Sequence, residues 1–234
     1  MCLLRLTFRH PLTKWRDKTM KKILFSMFSC LLLSASCCLA ADCCQPLFGD
    51  KLEKADFNAD IWSINENGEL CASRDAAIWT KEKIGDCTVS FEYKLSERAN
   101  AGFLIKCSDK GNWIPNTIEI QLLDDAGSQP NYHGNAAFYG YQAPTKVATK
   151  PAGEWNKMVV ECKGSIIKIW LNGEKVNEMD MSQWKDNKIS PNGTEIEKKF
   201  QGKALADADT VGFIGFQGLH GKSTIYYRNI RICK

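Results

Sequence analysis

The sequence predicts an all-β domain, an antiparallel sandwich of short strands. Three observations carry this. From residue 46 onward, short apolar-rich runs recur between turn residues, with little that repeats at helical period. Cys87–Leu95 alternates almost strictly, with Cys87, Val89, Phe91, Tyr93 and Leu95 on one face and Thr88, Ser90, Glu92 and Lys94 on the other. Asn172-Gly173 lies between two strand-like runs and is a strong short signal for a hairpin.

Taken in order, Asp60–Ile64 and Glu69–Ser73 flank Asn65-Glu66-Asn67-Gly68 as a hairpin with a longer loop. Ala77–Thr80 is a short strand, followed by Cys87–Leu95 and then Ala101–Cys107. Thr117–Asp125 contains the next strand. There Ile118, Ile120 and Leu122 share one face, and Glu119, Gln121 and Leu123 share the other. A charged strand face is ordinarily solvated, so the plain reading of this segment is an amphipathic strand with its polar face in water. Residues 124–153 form a long turn-rich stretch, a length more often functional than idle in a compact domain. Met158–Cys162 and Ile166–Leu171 pair around Lys163-Gly164-Ser165, and Glu174–Val176 follows the Asn-Gly turn. Residues 181–209 are charged and turn-rich, with one helical turn expected. Val211–Phe216 and Thr224–Ile232 close the chain. Such strands at regular spacing fold as a sandwich.

The chain has 234 residues. Met20-Lys21-Lys22 precedes the apolar run Ile23–Leu39 and the small residues Ala40 and Ala41, the layout of a signal peptide. Residues 1–41 are therefore assigned to an N-terminal extension plus signal (about 20–41), and 42–234 to one folded domain. The apolar run is short for a membrane span, so the processed protein is expected in the periplasm or outside the cell, without a stable span. Ser34-Ala35-Ser36-Cys37 approximates a lipid-attachment sequence and leaves a lipoprotein as the lesser alternative. The formal net charge of the whole chain is +4; the N-terminal extension contributes much of the positive charge, and the remaining domain is near neutral. A nucleic-acid footprint is excluded on that ground.

Of eleven cysteines, Cys43, Cys44, Cys71, Cys87, Cys107, Cys162 and Cys233 follow the cleavage site. Cys87, Cys107 and Cys162 fall in phase with apolar strand positions and are expected as small buried side chains. Cys43 or Cys44 is paired with Cys71 as the expected disulfide. Among motifs, a Gly-x-Ser-x-Gly elbow and a phosphate-binding glycine loop are both missing from the sequence. Tyr132, Phe138, Tyr139 and Tyr141 crowd one loop, and Trp79, Trp113 and Trp155 sit near strand ends. Aromatic faces of this kind either stack on sugar rings or pack in the core.

One set of segments carries more. In order, Ile78–Glu82, Gly85-Asp86, Asn100-Ala101-Gly102, Glu119–Asp124, Ala137–Gly140, Pro144-Thr145-Lys146, Gly153–Asn156, Trp170–Gly173, Gly215-Phe216-Gln217 and Tyr227–Ile232 closely resemble the 3-keto-disaccharide hydrolase family. The resemblance covers nearly all of residues 42–234. It implies a concanavalin A-like jelly-roll β-sandwich of two antiparallel sheets. It also implies exported enzymes that cleave 3-keto-glycosides, by hydrolysis or by elimination across C1 and C2 followed by hydration. Carried over position by position, Glu119, Tyr139, Lys146 and His220 are implied for catalysis. Asn100, Gln121, Asp124, Trp155 and Gln217 are implied for holding substrate. Gln217–Gly221 is one residue longer than the family's commoner Gln-Asp-His-Gly, and Ala101 replaces its usual Ser.

The chemistry needs no redox cofactor. A ketone at C3 acidifies the C2 hydrogen, and a base, an oxyanion holder and an acid complete the reaction. Glu119 or His220 serves as base, Lys146, Tyr139 or a divalent cation as oxyanion holder, and Tyr139 or His220 as acid. Glu119, Gln121 and Asp124 are the oxygen ligands such a cation would take. The expected partners are an oxidised small sugar and, functionally, a separate sugar 3-oxidoreductase. A non-catalytic sugar-binding module of the same fold is the alternative, and a structural envelope protein is a third.

Overall fold

The computed structural model describes residues 44–221 and 223–234. The expected signal peptide, the expected 41/42 boundary and Cys43 lie outside the described residues. The strands are β1 (Gln45–Pro46), β2 (Ala55–Asp56), β3 (Trp62–Ile64), β4 (Leu70–Ala72), β5 (Ala77–Thr80), β6 (Cys87–Leu95), β7 (Asn100–Cys107), β8 (Ile118–Leu123), β9 (Trp155–Lys163), β10 (Ile166–Leu171), β11 (Glu174–Asp180), β12 (Phe213–Gln217) and β13 (Ile225–Cys233). One sheet runs β11-β10-β9-β6-β13-β4-β3, with β1 paired to β13; the other runs β2-β5-β12-β7-β8. All pairings are antiparallel. This is the two-sheet, concanavalin A-like jelly-roll sandwich that the resemblance implied. Among the described residues, no helix is long and apolar enough to cross a membrane.

The core forms where inward faces of the two sheets meet. Phe91 of β6 and Tyr227 of β13 come from the larger sheet; Phe103 of β7 and Phe216 of β12 come from the smaller. Phe91 lies 4.9 Å from both Phe103 and Phe216, and Phe216 lies 4.8 Å from Tyr227, centroid to centroid. Tilted and edge-to-face rings at these distances are favourable arrangements beyond their area burial. All four rings are excluded from solvent. The larger sheet thus serves as a backing that holds the smaller sheet flat against it, with the smaller sheet's far face turned outward.

Two expectations are corrected. Cys44 is bonded to Cys233, whereas Cys71 is a free, half-buried thiol. The reason is register: Gln45 pairs with Ile232, which brings the flanking cysteines of β1 and β13 together. Cys71 on β4 instead donates to Ser63 O. Cys87, Cys107 and Cys162 are buried and free, as their phase predicted. Residues 181–209 hold three 3-10 turns rather than one, at Met181–Gln183, Lys198–Phe200 and Leu205–Asp207.

Candidate active site

The outward face of the smaller sheet carries the polar groups. In β8, Ile118, Ile120 and Leu122 enter the core, so Glu119 and Gln121 must point the other way. Neighbouring β7 sets Gly102 opposite Gln121 and Leu104 opposite Glu119. A Cβ on Gly102 would sit 2.4 Å from Glu119 Oε1. The glycine therefore vacates the space over the sheet in which the carboxylate lies. Gln121 is buried, and its Nε2 donates to Asn100 Oδ1 at 3.1 Å, while its Oε1 has no protein partner.

The other edge of β8 bonds to the segment 136–139. Ala136 N donates to Gln121 O, Gln121 N to Ala137 O, and Tyr139 N to Glu119 O at 2.9 Å. This extra backbone ladder sets Tyr139 beside Glu119. The turn Lys198–Phe200 then covers the tyrosine. Phe200 meets it edge-on at 5.8 Å, and Lys199 Nζ stands 4.8 Å from the Tyr139 ring centre. Glu197 holds this turn in place by pairing with both Lys199 and His133. Trp113 and Ile114 form a further wall, with Trp113 edge-on to Trp79 at 6.4 Å.

The third side comes from the chain ends of β5 and β12. Gln217 Nε2 donates to Asp75 Oδ1 at 3.3 Å, and His220 Nδ1 lies 2.7 Å from Asp75 Oδ2. Together these walls enclose a cleft of about 440 Å³ with Glu119 and Gln121 at its base. That volume is in the range of a small-molecule site.

Burial dominates the electrostatics. It pushes the Glu119 carboxyl up to about 7, against the smaller downward pull of Lys199 and His220. Burial pulls Lys199 down, but Tyr139 and Glu197 outweigh it and hold the ammonium above its usual value. The cleft therefore pairs a carboxyl poised to exchange a proton near neutrality with a firmly cationic lysine.

Glu119, Gln121, Asn100, Tyr139, Gln217 and His220 are gathered here. Lys146, Asp124 and Trp155 do not line this cleft. Lys146 is exposed and pairs with Glu174. Asp124 Oδ2 accepts from Arg98 N at 2.9 Å and so is turned to the loop before β7. Trp155 lies on the outer face of the larger sheet, under the Arg228 guanidinium at 3.9 Å and beside Lys94. The oxygen set Glu119, Gln121 and Asp124 is consequently not assembled. Among the described residues, no group of three or more His, Cys, Asp or Glu side chains is spaced to hold a metal ion. Asp75, Lys199 and Phe200 were not anticipated. Asp75 and Lys199 belong to no motif of the sequence, and only the fold brings them to the cleft. Lys146→Ala and Trp155→Ala are expected to leave turnover within about twofold of the parent in a steady-state assay, as for surface changes away from a site.

Residues 44–233 match the family described as the 3-keto-alpha-glucoside-1,2-lyase-like domain. A crystal structure of a candidate glycosyl hydrolase from Parabacteroides distasonis ATCC 8503 is 39% identical, with a TM-score of 0.77 over 81% of this chain and 98% of that one. Two further candidate glycosyl hydrolases from the same organism are 20% identical. One has a TM-score of 0.68 over 82% of this chain and 94% of its own; the other has 0.57 over 82% and 84%. These two speak to the fold alone. Comparison with curated proteins finds no match. With the match spanning every strand from β1 to β13, the chain belongs to the 3-keto-α-glucoside-1,2-lyase-like family.

Proposed function

We propose that the cleft cleaves glycosides whose glucosyl unit is already oxidised at C3. The carrying observation is Glu119, a half-buried carboxyl with its proton affinity raised to about 7 and with Lys199, Tyr139 and His220 around it. Ionised Glu119 removes the C2 hydrogen. The electron pair moves into the C2–C3 bond and onto the ketone oxygen, giving an enolate that the Lys199 ammonium stabilises. Collapse of the enolate expels the substituent at C1, and His220 or Tyr139 protonates the departing oxygen. Water then adds at C1, so the net result is hydrolysis. Lys199 thus takes the role for which Lys146 was expected. The unpartnered Gln121 Oε1 accepts a sugar hydroxyl. A separate sugar 3-oxidoreductase must supply the ketone, since the scheme itself moves no electrons between substrate and cofactor. Action outside the cytoplasm fits the signal-like segment at residues 20–41.

The test is incubation with 3-keto-maltose, 3-keto-cellobiose and their unoxidised parents, with and without chelator, followed by product analysis. Release of glucose from a keto substrate alone supports the reading. Cleavage of the parents at equal rate, or binding of intact glycan with no cleavage of any substrate, overturns it; the latter would mark a sugar-binding module. Loss of activity with chelator, restored by added metal, would instead show that a divalent cation takes part.

Lys199→Met should lower kcat/KM by about 10²–10³-fold, the usual cost of removing one oxyanion donor. It should also move the acid limb of the pH profile upward, because Lys199 is a group that lowers the Glu119 proton affinity. Lys199→Arg, which keeps the charge, should leave that limb in place.

A further inference from the structure

Asp75 stands just before β5 and His220 just after β12, 145 residues apart in sequence. The register explains their meeting. Ala77 pairs with Gln217 and Ile78 with Phe216. Continuing that ladder outward sets residue 75 against residue 219, so the side chains of Asp75 and His220 fall within reach at one end of the sheet. The turn then presses onto the neighbouring chain: Gly218 N donates to Ala76 O at 2.8 Å, and a Cβ on Gly218 would lie 2.4 Å from Ala72 Cβ. Only a residue without Cβ fits there. The buried Tyr227 hydroxyl donates to Gln217 O at 2.7 Å, and Gln217 Nε2 donates to Asp75. Gln217 is thus tied to the core through its backbone carbonyl, and its side-chain amide in turn holds the carboxylate that meets the imidazole.

We propose that Asp75 is a positioning residue that accepts from His220 Nδ1–H, so that Nε2 is the nitrogen that exchanges protons in the cleft: from the imidazolium it gives a proton to the departing oxygen, and as the neutral Nδ1–H tautomer it takes one from the water that adds at C1. This rests on the reading of the cleft as a site of proton-transfer chemistry. A carboxylate accepting from Nδ1–H fixes both the tautomer and the ring orientation. The other charges in the cleft are Glu119 and Lys199, which come from β8 and the 198–200 turn. Neither is bonded to the His220 ring, so Asp75 is its sole side-chain anchor among the described residues. A simple surface ion pair would have no such anchorage to the core, and its loss would leave the imidazole's tautomer without consequence for turnover.

Two readouts test this on the full chain with Asp75→Asn and Asp75→Glu. Long-range proton–nitrogen correlation of the ¹⁵N-labelled protein at alkaline pH reports the tautomer, with the His220 signals assigned by their loss in His220→Gln. The parent should show Nδ1–H, Asp75→Asn should shift toward Nε2–H, and Asp75→Glu should retain Nδ1–H. On a 3-keto disaccharide, Asp75→Asn should lose about 10²-fold or more in kcat with KM little changed, and Asp75→Glu should recover part of it. An unchanged Nδ1–H signal in Asp75→Asn, or kcat within about twofold of the parent, overturns the proposal. If the parent turns over no keto substrate, the proposed function falls, while the tautomer comparison still decides what Asp75 does.

Discussion

Glu119→Gln should abolish turnover and at the same time stabilise the protein above neutral pH. Both effects have one cause, the burial of a carboxyl between β8 and the 197–200 segment. As a base, ionised Glu119 contributes about 10²–10⁴-fold, and the amide has no basic site to replace it. The parent's kcat/KM should rise with pH through about 7, where Glu119 loses its proton. The stability effect follows from linkage. In the unfolded chain this carboxyl titrates near 4.5, and in the folded protein at about 7. Between those values the folded state binds the extra proton, so stability falls as pH rises through the window. The full shift corresponds to about 3 kcal/mol, fully lost above pH 7. Urea denaturation at pH 5 and pH 8 should show that difference in the parent and its disappearance in Glu119→Gln. A variant that retains turnover, or that has the parent's pH dependence of stability, would remove Glu119 from the centre of the scheme.

The same residue shows what alternation can and cannot reveal. The pattern of β8 told correctly which side chains enter the core, because a two-residue period is a local property of an extended chain. It left the polar face to be read as solvated. Whether that face is covered depends on residues about 80 positions away, Lys199 and Phe200, within a run that reads only as charged and turn-rich. The strand β6 was legible to its ends because one face packs on the smaller sheet and the other is turned away from it, giving strict alternation from Cys87 to Leu95. The two-residue strands β1 and β2 were not, since two residues carry no period.

Of the cleft's lining, the ordered family segments point to Asn100, Glu119, Gln121 and Gln217 on strands and to Tyr139 and His220 on loops. Asp75, Lys199 and Phe200 lie in no such segment. Lys146 belongs to a recognisable segment but its ammonium goes to Glu174, while Lys199 belongs to none and stands over Tyr139. Asp75 gains its role only through the β5–β12 register, a non-local fact that no window of sequence contains.

The disulfide is the other non-local feature, and its removal is expected to have the largest effect on stability. Cys44 and Cys233 are 189 positions apart, so the bond closes nearly the entire domain into one loop. In the chain-entropy account, a loop of that length restrains the unfolded state by about 5 kcal/mol. The folded state returns part of this when the bond is cut. β1 has only two residues and two partners on β13, Gln45 with Ile232 and Pro46 with Arg231, so without the bond it frays and gains freedom of its own. A loss of about 3–4 kcal/mol is therefore expected for Cys44→Ala/Cys233→Ala, read from urea denaturation under non-reducing conditions. Cys71→Ala should shift the midpoint little, because the thiol is only half-buried on a three-residue strand. Turnover well below the melting temperature should persist in the double variant, since neither cysteine borders the cleft. A double variant as stable as the parent, or a peptide map linking Cys44 to Cys71, would overturn the assignment. Loss of turnover in a fully folded double variant would instead mean that the pinned end of β13 governs Tyr227, and through it Gln217.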